Sequence, residues 1–261
     1  MVSVVVVSTN ERELLRACLS SIFDAPPRES LEVIVVDNAC TDGSAGMAKG
    51  FSPGCRVVTN PRRRGFARNN NIGLREAHGR YALLINADAW VRPGAIDALV
   101  SFLDTYQEVG ICGPRVLNPD GTLQLSCRTF PTVRSVLMRR IPLFRWLLPK
   151  RILRGHLMQD WDHSSDRAVD WLLSACLLVR REAIDAVGPM DDDYFLYGED
   201  VDWCWRMWQK GWQVYFVPEA EVFHHYRRLS ARHLLTRKTL IHIKSLTHFW
   251  RKNRVPLSKV F

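Results

Sequence analysis

The 261-residue sequence predicts an α/β fold in which a mostly parallel sheet is flanked by helices. Three observations point there. Apolar runs such as Val2–Ser8 and Leu31–Val36 are continuous rather than alternating, as expected of strands buried on both faces. Segments of helical period separate these runs. Finally, Asn10, Asp37 and Asp88 stand just past the ends of three such runs, where open α/β sheets collect their ligands.

In chain order, Val2–Ser8 reads as the first strand, and Leu14, Leu15, Cys18, Leu19 and Ile22 as the apolar stripe of a helix. Leu31–Val36 is the second strand and ends at Asp37-Asn38. Arg56–Thr59 is the third. Asn69–Ala77 reads as a helix, Tyr81–Ile85 as a strand ending at Asn86-Ala87-Asp88, and Ala95–Asp104 as a helix opened by Pro93-Gly94. Asn118-Pro119-Asp120-Gly121 is a turn between Arg115–Leu117 and Thr122–Leu125, a hairpin pattern. Ile141–Leu153 mixes apolar and basic residues. Trp171–Val179 predicts one buried strand, Arg181–Val187 a short helix, Asp200–Gln209 a helix closed by Gly211, and Val214–Val217 a strand ended by Pro218. From Ala231 to Asn253 the chain is basic and helical, without proline or glycine, so residues 1–230 are expected to form the main domain and 231–261 a basic helical extension packed on it or on a membrane surface.

Composition narrows the classes. The hydrophobic content of 47% suits a sizeable core. No apolar run approaches the roughly 20 residues that cross a bilayer, and Met1 leads straight into a strand with no basic leader. Seven single cysteines without CxxC spacing argue against a disulfide framework or a zinc site and for a reducing cytosol. The net charge of +9 suits an anionic partner, whether nucleic acid, anionic lipid or a phosphorylated substrate.

Several residues can carry chemistry. Asp37 at a strand end can accept an N–H from a pyrimidine base, or can serve as a turn cap, a role Asp42 suits better. Asp88, beyond Asn86, can hold Mg²⁺ or Mn²⁺, since hard cations prefer oxygen ligands. The stretch Asn60–Gly73 places Gly65 and adjacent arginines before a helix start, an arrangement suited to anions. Within it Arg68 and Asn71 face the ligand side, and Arg62 and Arg63 read as solvated. His224-His225 can supply a metal ligand, although histidine pairs are more often structural. Glu199-Asp200, just after Asp191-Asp192-Asp193, is the candidate general base. Asp202 reads as an ion pair with Arg206 four positions on. Trp205, Trp208 and Trp212 read as core, whereas Trp203 suits either core or a sugar platform.

Assembled in order, the motifs resemble family 2 glycosyltransferases of the GT-A fold, a Rossmann-like architecture, and especially their rhamnosyltransferase-like branch. They are Val5-Val6-Val7-Ser8-Thr9-Asn10, Val35-Val36-Asp37-Asn38 with Thr41-Asp42-Gly43-Ser44, Gly65-Phe66-Ala67 with Asn70-Asn71-Ile72-Gly73, and Asn86-Ala87-Asp88. Next come Tyr194-Phe195, Gly198-Glu199-Asp200-Val201-Asp202, and Val222-Phe223-His224-His225 leading to Ser230. The resemblance implies an inverting transfer from a nucleotide-diphospho-sugar, foremost dTDP-rhamnose, to a glycan or lipid-linked acceptor, with Mg²⁺ or Mn²⁺. It implies Asp200 as catalytic base, with Thr9, Asn10, Asp37, Arg68, Asn71, Asn86 and Asp88 on the donor and Glu199 and Trp203 on the acceptor. It sets Asp88 and His224 at the metal. The first position of the family's usual Asp-x-Asp is Asn86 here, Ala87 replaces a common proline, and Arg64 replaces an asparagine before Gly-Phe.

The expected setting is cytoplasmic, with peripheral contact on an anionic membrane and no nucleic-acid partner. Two rivals differ in class. A sugar nucleotidyltransferase wants a Gly-rich basic loop near the N-terminus, which Ser8–Arg16 lacks. A non-enzymatic basic module for membrane or nucleic acid explains the charge but leaves the carboxylates at the strand ends unexplained.

Overall fold

The computed structural model describes residues 1–51, 53–140, 142–194, 197–225 and 237–255. In chain order the elements are β1 Val2–Ser8, α1 Arg12–Phe23, β2 Leu31–Asp37, α2 Ser44–Lys49, β3 Cys55–Thr59, α3 Phe66–Glu76, β4 Tyr81–Asn86, β5 Ala89–Val91, α4 Ala95–Thr105, β6 Val109–Leu117 and β7 Cys127–Arg128. They continue with α5 Val133–Arg140, α6 Pro142–Leu147, α7 Lys150–His156, β8 Arg167–Ala168, β9 Trp171–Leu172, β10 Cys176–Arg180, α8 Arg181–Val187, α9 Glu199–Gln209, β11 Gln213–His224 and α10 Arg237–Lys252.

The main sheet has the order β3-β2-β1-β4-β10-β6-β11-β5, with β8 pairing on β11. Its first half, β3-β2-β1-β4, is parallel throughout, and β6 and β11 are also parallel. Strand β10 enters antiparallel between β4 and β6. The continuous apolar runs reflect burial on both faces. Val4, Val6, Val33, Val35 and Leu83 face a core closed by α1 and α4, and Val5, Ile34, Val36, Ala82 and Leu84 a second core under α3, α8 and α9. Helix α3 lies close on β1 because position 73 is glycine: a Cβ there would come within 2.2 Å of Val5 Cγ1.

Two expected strands are reshaped. Trp171–Val179 is broken around Ser174, where the Ala175 N–H bonds Leu173 O at 2.8 Å. Trp171–Leu172 then pairs with β7 in a separate two-stranded sheet, while Cys176–Arg180 joins the main one. Its unbroken apolar character reflects burial in both places. The strand from Val214 does not stop at Pro218 but runs to His224, because the register shift between Val217 and Glu221 takes the proline at a bulge, where no ladder N–H is required.

Asn118–Leu125 turns back as expected, with the Asn118 N–H on Thr122 O and the Gln124 N–H on Val116 O, both at 2.8 Å. All seven cysteines are free thiols. Helix α10 packs through Phe249, fully buried against Phe130 and Trp205. Phe195, Ser230 and tail residues 226–236 and 256–261 lie outside the described residues. Among the described residues no helix is long and apolar enough to cross a membrane.

Candidate active site

The parallel register brings the polar strand ends together. Ser8 is the pairing partner of Asp37, and Asn86 that of Val7, so Thr9, Asp37 and Asn86 stand side by side at one edge of the sheet. The chain leaves β1 through Asn10, a non-glycine residue at φ 57°. Its side-chain Oδ1 accepts the Thr41 N–H at 2.8 Å, holding the β2–α2 loop over the strand ends. Asp37 is buried and accepts the Cys40 N–H at 2.9 Å. Asp42 stands just before Gly43, the N-cap of α2, and accepts from the N–H and hydroxyl of Ser44 and from the Arg12 N–H, tying the starts of α1 and α2 together. Burial alone would raise its carboxyl, but hydrogen bonds from Ser44 and from the Arg12 N–H hold it below the ordinary range.

Asn38 has a role that the sequence reading missed. Its amide donates to Thr9 Oγ1 and Arg64 O and accepts the Arg64 N–H at 2.8 Å, clasping the basic loop to the sheet. Asn69 continues the clasp through Asn60, Arg64 O and Gly65 O. Arg62, Arg63 and Arg68 are exposed, and Arg68 lies 3.9 Å from Asp192. Asn71 is corrected. It was expected to contact the donor, but its Nδ2 donates to Met190 O at 2.7 Å and to Asp192 Oδ1 at 2.6 Å, and its Oδ1 accepts the Met190 N–H. It bolts the acidic loop to α3.

Asp88 and His224 meet. Strand β5 pairs with the end of β11, and His224 Nε2 lies 3.2 Å from Asp88 Oδ1. His225 is exposed and gives only its backbone N–H, to Asp88 O. Behind His224, Gln124 Oε1 sits 2.7 Å from Nδ1, and Gln124 Nε2 donates to Asn118 Oδ1. A carbonyl oxygen can only accept, so Nδ1 carries the proton, and in the neutral ring the Nε2 lone pair faces Asp88. Two acceptors then stand 3.2 Å apart, an arrangement that a shared proton or a divalent cation relieves. One hard oxygen and one imidazole nitrogen fit Mg²⁺ or Mn²⁺ completed by phosphate oxygens. A second group, Asp191, Asp193 and His248, has donor atoms within 4.8 Å of one another. There the Lys252 ammonium lies 2.5 Å from Asp191 Oδ2, so that cluster is an ion-pair network.

Helix α9 carries the acids. Tyr197 and Gly198 precede it at φ 67° and 98°, and a Cβ on Gly198 would press on the Tyr194 ring at 3.0 Å. Burial raises the Asp200 carboxyl to about 6, against the Val201 N–H at 2.9 Å and the charge of Arg128, a buried residue that the sequence reading passed over. Burial and the neighbouring Asp200 charge raise Glu199 to about 8, and its Oε2 has no hydrogen-bond partner among the described residues. Both carboxyls are raised, and of the two Asp200 is the more readily ionised and Glu199 the more firmly protonated. Glu199, expected on the acceptor, is 5% exposed. Trp203 is corrected: it is fully buried and its indole N–H donates to Gly188 O, so it is core and not a sugar platform. Asp202 pairs with Arg206 at 2.8 Å as expected.

Two outcomes follow from this geometry. Native Glu199 holds a proton that the unfolded chain releases near 4.5, so its stabilising contribution is whole below that pH and is lost as pH climbs through about 8. Glu199→Gln should match wild type in urea denaturation near pH ~4 and exceed it by several kcal/mol near pH ~9, the linkage equivalent of that rise. Replacing the tautomer-fixing acceptor by Gln124→Leu should weaken Mn²⁺ binding by roughly tenfold or more in calorimetry, with an unchanged circular dichroism spectrum.

The sequence model "Glycosyl transferase family 2" matches residues 3–159, and "Glycosyltransferase (GlcNAc)" matches 105–256. The chain is 33% identical over 233 residues to the N-acetylglucosaminyl-diphospho-decaprenol L-rhamnosyltransferase of Mycobacterium tuberculosis, covering 85% of this chain and 75% of that one. It is 26% identical to the rhamnosyltransferase WbbL of Escherichia coli, covering 76% and 74%. The crystal structure of GalNAc-T7 with UDP, GalNAc and Mn²⁺ superposes with a TM-score of 0.70 at 18% identity, over 96% of this chain and 47% of that one. The mannosyltransferase PcManGT of Pyrobaculum calidifontis, in complex with GDP-Man and Mn²⁺, gives 0.61 at 19%, over 99% and 72%. The fold is GT-A, and the chain belongs to the family 2 glycosyltransferases, in their rhamnosyltransferase-like branch.

Proposed function

We propose that this glycosyltransferase moves rhamnose from dTDP-rhamnose, with inversion, to a lipid-linked glycan precursor at the cytoplasmic face of a membrane. The observation that carries the donor and acceptor is the 33% identity to an enzyme whose name specifies both an L-rhamnosyl group and a diphospho-decaprenol acceptor. The more readily ionised Asp200 beside the more firmly protonated Glu199 supports the chemistry.

In the proposed mechanism Asp37 accepts an N–H of the base, and the loop held by Asn10 and Thr41 closes over the nucleoside. The Asn38 clasp fixes Arg64 and the start of α3 next to it, where backbone N–H groups and Arg68 meet the diphosphate. Asp200 takes the proton from the acceptor hydroxyl as that oxygen attacks the anomeric carbon in line with the departing diphosphate. Neutral Glu199 spares Asp200 a second negative neighbour. Asp88 and His224 would hold Mg²⁺ or Mn²⁺, which supplies charge stabilisation for the leaving diphosphate. The presence of Mn²⁺ in the GalNAc-T7 and PcManGT structures supports that assignment.

A second donor class has a specific observation in its favour, the match of residues 105–256 to a GlcNAc glycosyltransferase model. A panel of nucleotide sugars with Mn²⁺ and a polyprenyl-diphosphate-linked GlcNAc acceptor separates the two. Release of dTDP from dTDP-rhamnose, and an inverted linkage by NMR, are expected. Turnover confined to UDP-GlcNAc would overturn the rhamnosyl assignment, and full turnover by metal-free protein in excess EDTA would overturn the metal.

A further inference from the structure

We propose that helices α5 to α7 form a docking element for the anionic surface of a lipid bilayer, with Trp146 and Leu147 entering the headgroup layer. The sequence from 131 to 159 holds seven Arg or Lys and no Asp or Glu. A solvated protein surface normally mixes both signs. Within this acid-free stretch Trp146 is 89% and Leu147 65% exposed, two adjacent members of the short set of exposed large hydrophobic residues. A bulky aromatic and a leucine exposed within a basic stretch that contains no acidic residue are the composition of an interfacial helix.

The element is fastened at its base. The Thr129 N–H bonds His156 O at 3.2 Å, joining the chain before α5 to the end of α7. Thr132 and Ser135 cap α5 reciprocally at 3.0 and 3.1 Å. Met138 and His156 are buried, and burial together with the charges of Arg139 and Arg128 lowers the His156 imidazole to about 3, so it stays neutral beneath the basic surface. Arg134, Lys150 and Arg151 are exposed, while Arg154 pairs with Asp160 at 2.5 Å. The Trp250 indole N–H donates to Pro131 O at 3.2 Å, joining α10 to the same base.

The position fits the chemistry. Arg128, whose charge acts on Asp200, lies three residues before Pro131, so the docking element adjoins the acceptor side of the site. A lipid-linked acceptor carries its diphosphate at headgroup depth, and an enzyme resting on α5 to α7 would receive it there. The lipid-linked acceptor of the proposed function supplies this purpose. Membrane binding is nevertheless measured without donor or turnover, so the two can fail separately.

The test is co-sedimentation of the full chain with phosphatidylcholine vesicles and with vesicles containing phosphatidylglycerol, at low and high salt. Anionic vesicles should bind at least ~10-fold more protein at low salt, with the difference collapsing at high salt. Lys150→Glu with Arg151→Glu should lower anionic binding by ~10-fold or more, as each cation near such a surface is worth about fivefold. Trp146→Ala with Leu147→Ala should also lower it, and both pairs are exposed enough to leave the melting temperature unchanged. Equal binding to neutral and anionic vesicles, or undiminished binding by both double variants, overturns the proposal. A concentration-dependent dimer in sedimentation velocity that Trp146→Ala abolishes would assign the face to a second copy of the chain and overturn it equally.

Discussion

Asp202 is a fully buried carboxylate, and the packing around α9 is organised by the need to neutralise it. Arg206 Nε reaches it at 2.8 Å, Lys252 Nζ at 3.0 Å, Asn253 Nδ2 at 2.8 Å, and the Tyr194 hydroxyl at 3.4 Å. These partners come from α9, from the end of α10 and from the loop before α9. Lys252 also binds Asp191, and Arg206 donates to Val187 O and Pro189 O. One buried charge thus ties α10, the acidic loop and α9 into one packed unit. Asn71 fastens the far side of that loop to α3.

Two residues earlier on the same helix, the environment does the opposite. Asp200 has Val201 N–H as its close donor and the charge of Arg128 nearby, and Glu199 has an oxygen with no partner among the described residues. A cation at hydrogen-bond distance would hold Asp200 far below neutrality and make it a poor base. Burial with modest compensation brings it to about 6, near the pH at which a general base is both ionised and basic. The acids Glu199, Asp200 and Asp202 are therefore three different chemical objects, separated by what surrounds each one. The Asp88–His224 pair follows the same logic, because Gln124 decides which imidazole nitrogen faces the carboxylate.

Much of this was legible in the sequence. The strands β1, β2 and β4 announced themselves because burial on both faces demands unbroken apolar runs, and their polar ends marked the site because the register aligns them. The Asp202–Arg206 pair was legible because its partners are one helical turn apart. Other features were hidden by distance along the chain. Asn71 meets Met190 across 119 residues, and Gln124 meets His224 across 100. An isolated glutamine in a hairpin carries no local signal of that role. Trp203 was ambiguous because a tryptophan on a catalytic helix suits either face, and only the Gly188 carbonyl decides it. Pro218 misled because a bulge lets a strand pass through proline.

The division of labour between Asp200 and Asp202 is tested most directly by a paired measurement on Asp200→Asn and Asp202→Asn, recording donor affinity, turnover and urea stability for each. Asp200→Asn should keep the fold and the donor affinity while turnover falls by roughly 10²- to 10⁴-fold, since its proton acceptor acts only in the transition state. Asp202→Asn should lose stability on the order of 3 kcal/mol by uncovering Lys252 and Arg206, and should retain most of its turnover where it remains folded. Near-normal turnover in Asp200→Asn, with turnover abolished in folded Asp202→Asn, would contradict the account.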